Sequence, residues 1–314
     1  MLLKHLQSEP FLDGLRFAEG PRWHDGWLWF SDIERDCVLR TRIGGSPEIV
    51  AELPSPSGLG FLPDGSLLAT SMKNCIVYRV GSDGRTQLHA DLSAYGFIIN
   101  DMVVTQDGRA YVDAYRAVPP IELPTTPDGS PCALSADINR HYLNGLGTSP
   151  SLDGRIIAVE PDGKHHVAAA DLNYPNGLVT TPDGQTLIAS ISHEGKLLAF
   201  DIGADGSLTN LRVWADLPGR HPDGICIDSE GGVWVACLAI SAFQRILEGG
   251  LITHHVATPG RWAVAPALGG DDSRTLFVIS MEPIDWPDHR SWIERVRVEV
   301  PGVPGSARAN ATPS

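Results

Sequence analysis

Tyr174-Pro175-Asn176-Gly177-Leu178-Val179-Thr180-Thr181-Pro182-Asp183-Gly184-Gln185-Thr186-Leu187-Ile188-Ala189 is the stretch that decides the fold. A polar residue followed by Gly opens a short apolar run, an Asp-Gly turn comes seven residues later, and a second β-forming run follows. Only Gly and a few polar residues accept the positive φ of a tight hairpin, so the stretch reads as strand, hairpin, strand. The phrase recurs from Glu19-Gly20 to Asp25-Gly26, Ser57-Gly58 to Asp64-Gly65, Asn100-Asp101 to Asp107-Gly108 and Asp223-Gly224 to Glu230-Gly231. A degraded copy runs from about Trp262 to Asp271-Asp272. Successive turns lie 39, 43, 76, 47 and 42 residues apart, near the roughly 40–50 residues of a four-stranded propeller blade. The long interval holds one blade plus an insertion.

The expectation is an all-β chain, a six-bladed β-propeller occupying residues 1–302 as a single unit. Gly (33) and Pro (24) are abundant, and strand-forming runs bounded by Gly, Pro, Asp and Asn dominate. The run Arg295–Val300 alternates charged and apolar residues and is expected to pair with the N-terminal region around Leu12 to Phe17, closing the ring. Residues 303–314 are small and polar, a tail expected to be disordered. Residues 114–150 form a Pro-rich insertion, expected to cap one mouth of the channel and influence substrate choice.

A net charge of −14 with no cluster of Lys or Arg excludes a nucleic-acid partner. No apolar run approaches the ~20 residues that span a bilayer, so no membrane partner is expected. Met1 to His5 turn polar too quickly for a signal peptide, and five cysteines without CxxC spacing fit a reducing compartment. A cytoplasmic protein, monomeric or weakly homo-oligomeric and acting on a small molecule, is the expectation.

The repeated polar position carries Glu19, Ser57, Asn100, Asn176 and Asp223, with Ala263 in the degraded copy. In a propeller such positions meet around the axis. The set is rich in oxygen donors and lacks Cys and His, which suits one hard divalent cation. Ca²⁺ is expected ahead of Zn²⁺, Mg²⁺ or Mn²⁺. The competing account is that each residue merely begins a turn. It is weakened by Glu, Asn and Asp each preceding Gly at one repeat position. His221, two residues before Asp223, could reach the channel rim, whereas His165-His166 and His254-His255 fall in alternating strands.

Phe17-Ala18-Glu19-Gly20-Pro21-Arg22-Trp23, Tyr174-Pro175-Asn176-Gly177-Leu178 and His221-Pro222-Asp223-Gly224-Ile225 resemble signature blocks of the SMP-30/gluconolactonase/luciferin-regenerating family. Gly231 to Ala236 and Gly269 to Val278 are similar to two more. The resemblance implies a six-bladed propeller with a divalent cation in the channel, held by Glu19, Asn176 and Asp223, and Asp223 also as general base. Asn100 matches a position that touches substrate and, in phosphotriesterase-type propellers, calcium; with Ile98 and Asp101 it makes the expected substrate-binding set. Sugar-lactonase members usually carry Arg where this chain has Ile98. Ile98 cannot donate a hydrogen bond, so the resemblance implies a metal-dependent lactonase for a less polar lactone than the sugar lactones. Alternatives are a phosphotriesterase-like hydrolase, a non-hydrolytic biosynthetic enzyme and a non-catalytic ligand-binding propeller.

Overall fold

At each Asp-Gly-type turn the glycine takes the left-handed conformation the sequence pattern requires. Gly26, Gly65, Gly108, Gly184 and Gly231 have φ between +70° and +90°. In the degraded sixth copy the same work falls to Gly270 and Ser273, with φ of +83° and +56°. The computed structural model describes residues 2–117, 152–283 and 290–303.

The hairpins extend into six antiparallel sheets. Blade 1 comprises Ala18–His24, Trp27–Asp32, Cys37–Thr41 and Glu48–Glu52. Blade 2 comprises Pro56–Phe61, Leu67–Ser71, Ile76–Val80 and Thr86–Asp91. Blade 3 is built from Ile98–Val104, Ala110–Ala117, Leu152–Val159 and His165–Leu172. Blade 4 contains Pro175–Thr180, Thr186–Ile191, Lys196–Ile202 and Leu208–Asp216, and blade 5 Pro222–Ile227, Val233–Cys237, Ala242–Ile246 and Ile252–Ala257. Blade 6 takes Trp262–Gly269, Thr275–Met281 and Ser291–Arg297 from the C-terminal end, and its fourth strand, Glu9–Leu15, from the N-terminal end.

That last pairing joins the two ends of the chain as expected, but with both strands set earlier than Arg295–Val300 and Leu12–Phe17. Glu9 lies opposite Arg295 and Leu15 opposite Ser291. A further N-terminal strand, Lys4–Leu6, runs parallel to Ile252–Ala257 and covers the outer edge of blade 5. The insertion falls between the second and third strands of blade 3; it lies outside the described residues from 118 to 151, as does the tail from 304.

Each seam between blades holds its own apolar cluster. Phe30 meets Phe277 and Ile279 between blades 1 and 6, and Leu59 and Leu67 meet Trp29 between blades 1 and 2. Met102 and Val112 pack on Leu68 between blades 2 and 3, and Tyr111 and Ile156 on Leu187 between blades 3 and 4. Ile225 and Val235 face Ile188 between blades 4 and 5, and Trp234 and Phe243 face Leu276 between blades 5 and 6. Sheet-on-sheet burial therefore supplies the stabilisation, each fully buried Leu, Ile or Phe contributing about 1.5–3 kcal/mol. A seventh cluster differs: Ile33, Met72, Ile98 and Tyr115, flanked by Phe17, Phe97 and Tyr174, gathers residues from blades 1 to 4 near one end of the innermost strands.

Candidate metal and catalytic site

In every blade the innermost strand carries a β-bulge near its start. Three steps along Pro175–Leu178 face two steps along Ile191–Ala189, and Pro222–Ile225 faces Cys237–Val235 in the same way. Matching shifts occur at Pro56/Leu59, Ile99/Met102 and Ala263/Ala265. A bulge frees one residue from the ladder and re-aims its side chain. Ser57, Asn100, Asn176 and Asp223 are those freed residues. Their glycines have a packing reason: a Cβ on Gly177 would sit 2.6 Å from Asp223 O, and one on Gly58 2.6 Å from Met102 N. Blade 1 departs from the repeat. Glu19 is itself ladder-paired with Ser31, and Gly20, at φ +55°, takes the bulge position, so Glu19 enters one residue early.

Side chains from four blades join in one hydrogen-bonded chain. The Ser57 hydroxyl donates to Asn100 Oδ1 (2.6 Å), and Asn100 Nδ2 donates to Asn176 Oδ1 (3.1 Å). Asn176 is in turn hydrogen-bonded to the Asp223 carboxylate. Glu19 accepts the N–H of Gly20 (2.6 Å) and feels the charge of Asp223. Glu19 and Asn176 are buried, whereas Asn100 and Asp223 keep part of their surface open. The structure thus brings Glu19, Asn100, Asn176 and Asp223 into one cluster.

Burial dominates the electrostatics. It pushes the Asp223 carboxyl up to about 8, with the Asp101 charge adding to the rise and the Asn176 hydrogen bond opposing it. Glu19 is raised well above the carboxylate range by burial, then by Asp223 and Asp101. In the protein alone, the pair resists carrying two negative charges.

The expected substrate residues separate. Ile98 sits in the apolar rim cluster, 8 % exposed. Asp101, close enough for its charge to act on Asp223 and Glu19, is held in an ion pair: its Oδ1 accepts from Arg22 Nη2 (2.9 Å), whose guanidinium also donates to the carbonyls of Met102 and Pro21. Arg22 lines a cavity of about 680 Å³ at the other end of the innermost strands, together with His24, Phe61, Thr105 and Thr180. Arg22 is therefore committed to Asp101 and to these carbonyls.

A supporting layer was not foreseen from the sequence. Hydroxyls of second strands reach the backbone of the next blade's site residue: Ser31 Oγ donates to Ser57 O (2.7 Å), Thr70 Oγ1 to Asn100 O (2.6 Å) and Ser190 Oγ to Asp223 O (2.8 Å). In blade 3 Asp113, fully buried, accepts the Asn100 N–H (2.8 Å) and the Tyr115 hydroxyl (2.6 Å). Burial raises both the Asp113 carboxyl and the Tyr115 hydroxyl well above their ordinary ranges. The available signal was a short polar residue inside an otherwise apolar strand, as in Ala69-Thr70 or Val112-Asp113-Ala114, because a buried polar group needs a partner.

A family model described as the SMP-30/Gluconolactonase/LRE-like region matches residues 17–282. The 6-deoxy-6-sulfogluconolactonase of Pseudomonas putida is 30 % identical over 159 residues, 48 % of this chain and 54 % of that protein. The pentonolactonase XacC of Haloferax volcanii is 23 % identical over 272 residues, covering 84 % of this chain and 81 % of its own. The chain spans about half the length of the first curated relatives it matches. Among solved structures, a gluconolactonase from Xanthomonas campestris superposes with a TM-score of 0.69 at 24 % identity, covering 91 % of this chain and 88 % of that one. A calcium-binding regucalcin from Agrobacterium tumefaciens gives 0.71 at 18 % identity, covering 96 % and 99 %. Six bulged blades and a match across most of the length lead to one assignment: the chain belongs to the SMP-30/gluconolactonase/LRE-like family.

Proposed function

We propose that the protein is a divalent-cation-dependent lactonase whose substrate is less polar than a sugar lactone. The observation that carries this is the Asn100–Asn176–Asp223 hydrogen-bonded chain beside buried Glu19, lying next to an apolar rim. Family membership and the lactonases among the relatives support the reaction class.

The donor chemistry fits a hard cation. The Asp223 charge raises the affinity of buried Glu19 for protons, and a divalent ion would relieve the same repulsion. Among the described residues no three His, Cys, Asp or Glu side chains cluster for a metal. The coordination therefore has to include amide oxygens, which favours Ca²⁺ over Zn²⁺. Glu19, Asn176 and Asp223 would hold the ion, with Asn100 Oδ1 the fourth candidate. When bound, the ion supplies Lewis-acid polarisation of the lactone carbonyl. Asp223 is the base that takes a proton from the attacking water. Asn176 orients that carboxylate, and Ser57 and Asp113 fix Asn100 beside it. Attack at the carbonyl carbon breaks the ring C–O bond, and the proton passes to the departing alkoxide, leaving a hydroxy acid.

The rim supports the substrate polarity. Half-buried Phe17, Phe97 and Tyr174, packed on buried Ile33, Met72, Ile98 and Tyr115, offer hydrocarbon where a polyhydroxylated ring would need donors. The test is hydrolysis of a panel from sugar lactones to alkyl lactones by chelated protein with Ca²⁺, Mg²⁺, Mn²⁺ or Zn²⁺ restored. Turnover that returns with metal and favours alkyl lactones is expected. Metal-independent turnover, or a preference for sugar lactones, would overturn the respective part.

A further inference from the structure

The rim is a second repeat, set just outside the bulges. In four blades a residue ahead of the innermost strand, or at its entry, offers its carbonyl to the N–H that follows the second strand. Ile33 N donates to Phe17 O (2.8 Å), Met72 N to Ser55 O (2.9 Å), Ser192 N to Tyr174 O (3.0 Å) and Leu238 N to His221 O (3.2 Å). Three of these rim residues hold a left-handed backbone without being glycine: Ser55, Tyr174 and His221 have φ of +43°, +64° and +47°. Such conformations cost about 1–3 kcal/mol each and persist only where the surroundings enforce them.

His221 is the rim residue whose chemistry the proposed lactonase reaction leaves unused. Its Nδ1 lies 3.1 Å from Ser192 O, and a carbonyl oxygen only accepts, so Nδ1 carries the proton. In the neutral ring Nε2 is then an acceptor, and it has no hydrogen-bond partner among the described residues. Ser192 is itself fixed, its hydroxyl donating to Pro222 O (2.6 Å) and its N–H to Tyr174 O. The imidazole is therefore locked at the seam of blades 4 and 5, two residues from Asp223, half-buried and in one tautomer. Beside it Tyr174 stacks on His193 on one hand and on Tyr115 on the other, both at 4.6 Å between ring centroids. The remainder of the rim on blades 1 to 3 is half-buried Phe17 and Phe97, packed on buried Ile33, Met72 and Ile98.

We propose that His221 is a specificity-determining residue: its Nε2 accepts the hydrogen bond of a hydroxyl carried by an otherwise hydrocarbon lactone. The inference rests on the lactonase reading and narrows its substrate class from apolar lactones to hydroxyalkyl or hydroxyaryl ones. An acceptor fixed next to an apolar surface discriminates because a substrate without the hydroxyl strips water from Nε2 and returns nothing. A sugar lactone gains the same single bond but buries its other hydroxyls against hydrocarbon.

The test compares an alkyl lactone with its hydroxyalkyl counterpart on the wild type, His221→Leu, His221→Gly and His221→Gln. Glycine adopts the left-handed backbone without strain, so that variant folds even if leucine does not. The wild type is expected to favour the hydroxylated lactone in kcat/KM by roughly 10- to 100-fold, the range for one hydrogen bond at a partly open site. His221→Leu and His221→Gly abolish that ratio, mainly through KM for the hydroxylated member, while turnover of the plain lactone is retained. His221→Gln, whose amide oxygen accepts, restores part of it. The matching lactam pair, bound but not hydrolysed, is measured by calorimetry on the same proteins, which separates the recognition from the reaction. If no lactone turns over but the hydroxylated lactam binds tighter to wild type alone, the lactonase reading fails and the recognition stands. An equal ratio in wild type and His221→Gly, in turnover and in lactam binding, overturns the proposal.

Discussion

Blades 5 and 6 share a backbone plan and differ in what they do with it. Both are antiparallel sheets whose innermost strand has one residue more than its partner at the bulge. Blade 5 fills that bulge with Asp223-Gly224 and reaches the site; blade 6 leaves Val264 there, with Ala263 paired to Ser280, and contributes hydrocarbon. The bulge is thus a property of the fold, repeated whether or not chemistry is attached, and the side chain in it is what makes a site. A second contrast follows the same two blades. Arg245 on the third strand of blade 5 pairs with Asp228 at 2.6 Å with side chains 5 % and 0 % exposed. The corresponding Arg297–Asp272 pair of blade 6 is 63 % and 48 % exposed.

The largest expected effect breaks the chemical side of the comparison. Asp223→Ala should lower kcat/KM by about 10²- to 10⁴-fold, the range for removing a general base, and should abolish divalent-ion binding by calorimetry. Ala263→Ser in blade 6 should change neither. Intact turnover in Asp223→Ala would remove Asp223 from the reaction.

Next comes the buried pair. Arg245→Met leaves the Asp228 carboxylate, which also caps the N–H groups of Glu230 and Gly232, without its counter-ion. A loss of about 3–5 kcal/mol in urea unfolding is expected. Arg297→Met, removing a solvent-exposed partner, should leave the urea midpoint unchanged. Equal effects in the two blades would show that burial does not distinguish them.

A smaller effect tests the seam itself. A Cβ on Gly224 would lie 2.6 Å from the Ala265 Cβ and 2.8 Å from its Cα. Gly224→Ala should cost about 1–3 kcal/mol through overpacking, and adding Ala265→Gly should recover part of it. Strict additivity in that double-mutant cycle would deny the contact.

The last test is a pH dependence. Asp223 and Glu19 have folded-state affinities for protons raised by burial, Asp223 to about 8. In the chelated protein the folded state then binds more protons than the unfolded chain between the ordinary carboxylate range and about pH 8, so stability falls as pH rises through that window. Thermal unfolding should show this decline in the metal-free wild type and a flatter profile in Asp223→Asn. Added Ca²⁺ should remove most of it, since the ion and not the proton then neutralises the pair. A metal-free profile that rises with pH would reverse the assignment.

How much was legible beforehand divides along the range of the forces involved. The blade count and the hairpins follow from local rules, positive φ at Gly65 or Gly184 and spacing of the turns, whereas alternation along Arg295–Val300 found the closing strand but set it several residues late. The repeated polar position was visible for the same reason, since one bulge occurs per blade. Only the tertiary structure decided that Glu19 enters one residue early and that Asp101 is held by Arg22, 79 residues away. It alone placed Ser31, Thr70 and Ser190 under the backbone of the neighbouring blade, and it alone chose the tautomer of His221 through Ser192. Those partners belong to separate strands, many of them in separate blades. Backbone preference and hydrophobic period act within a few residues and can be read in order along the chain. A hydrogen bond depends on where the seam between two sheets brings its donor and acceptor, and that position exists only once the ring has closed.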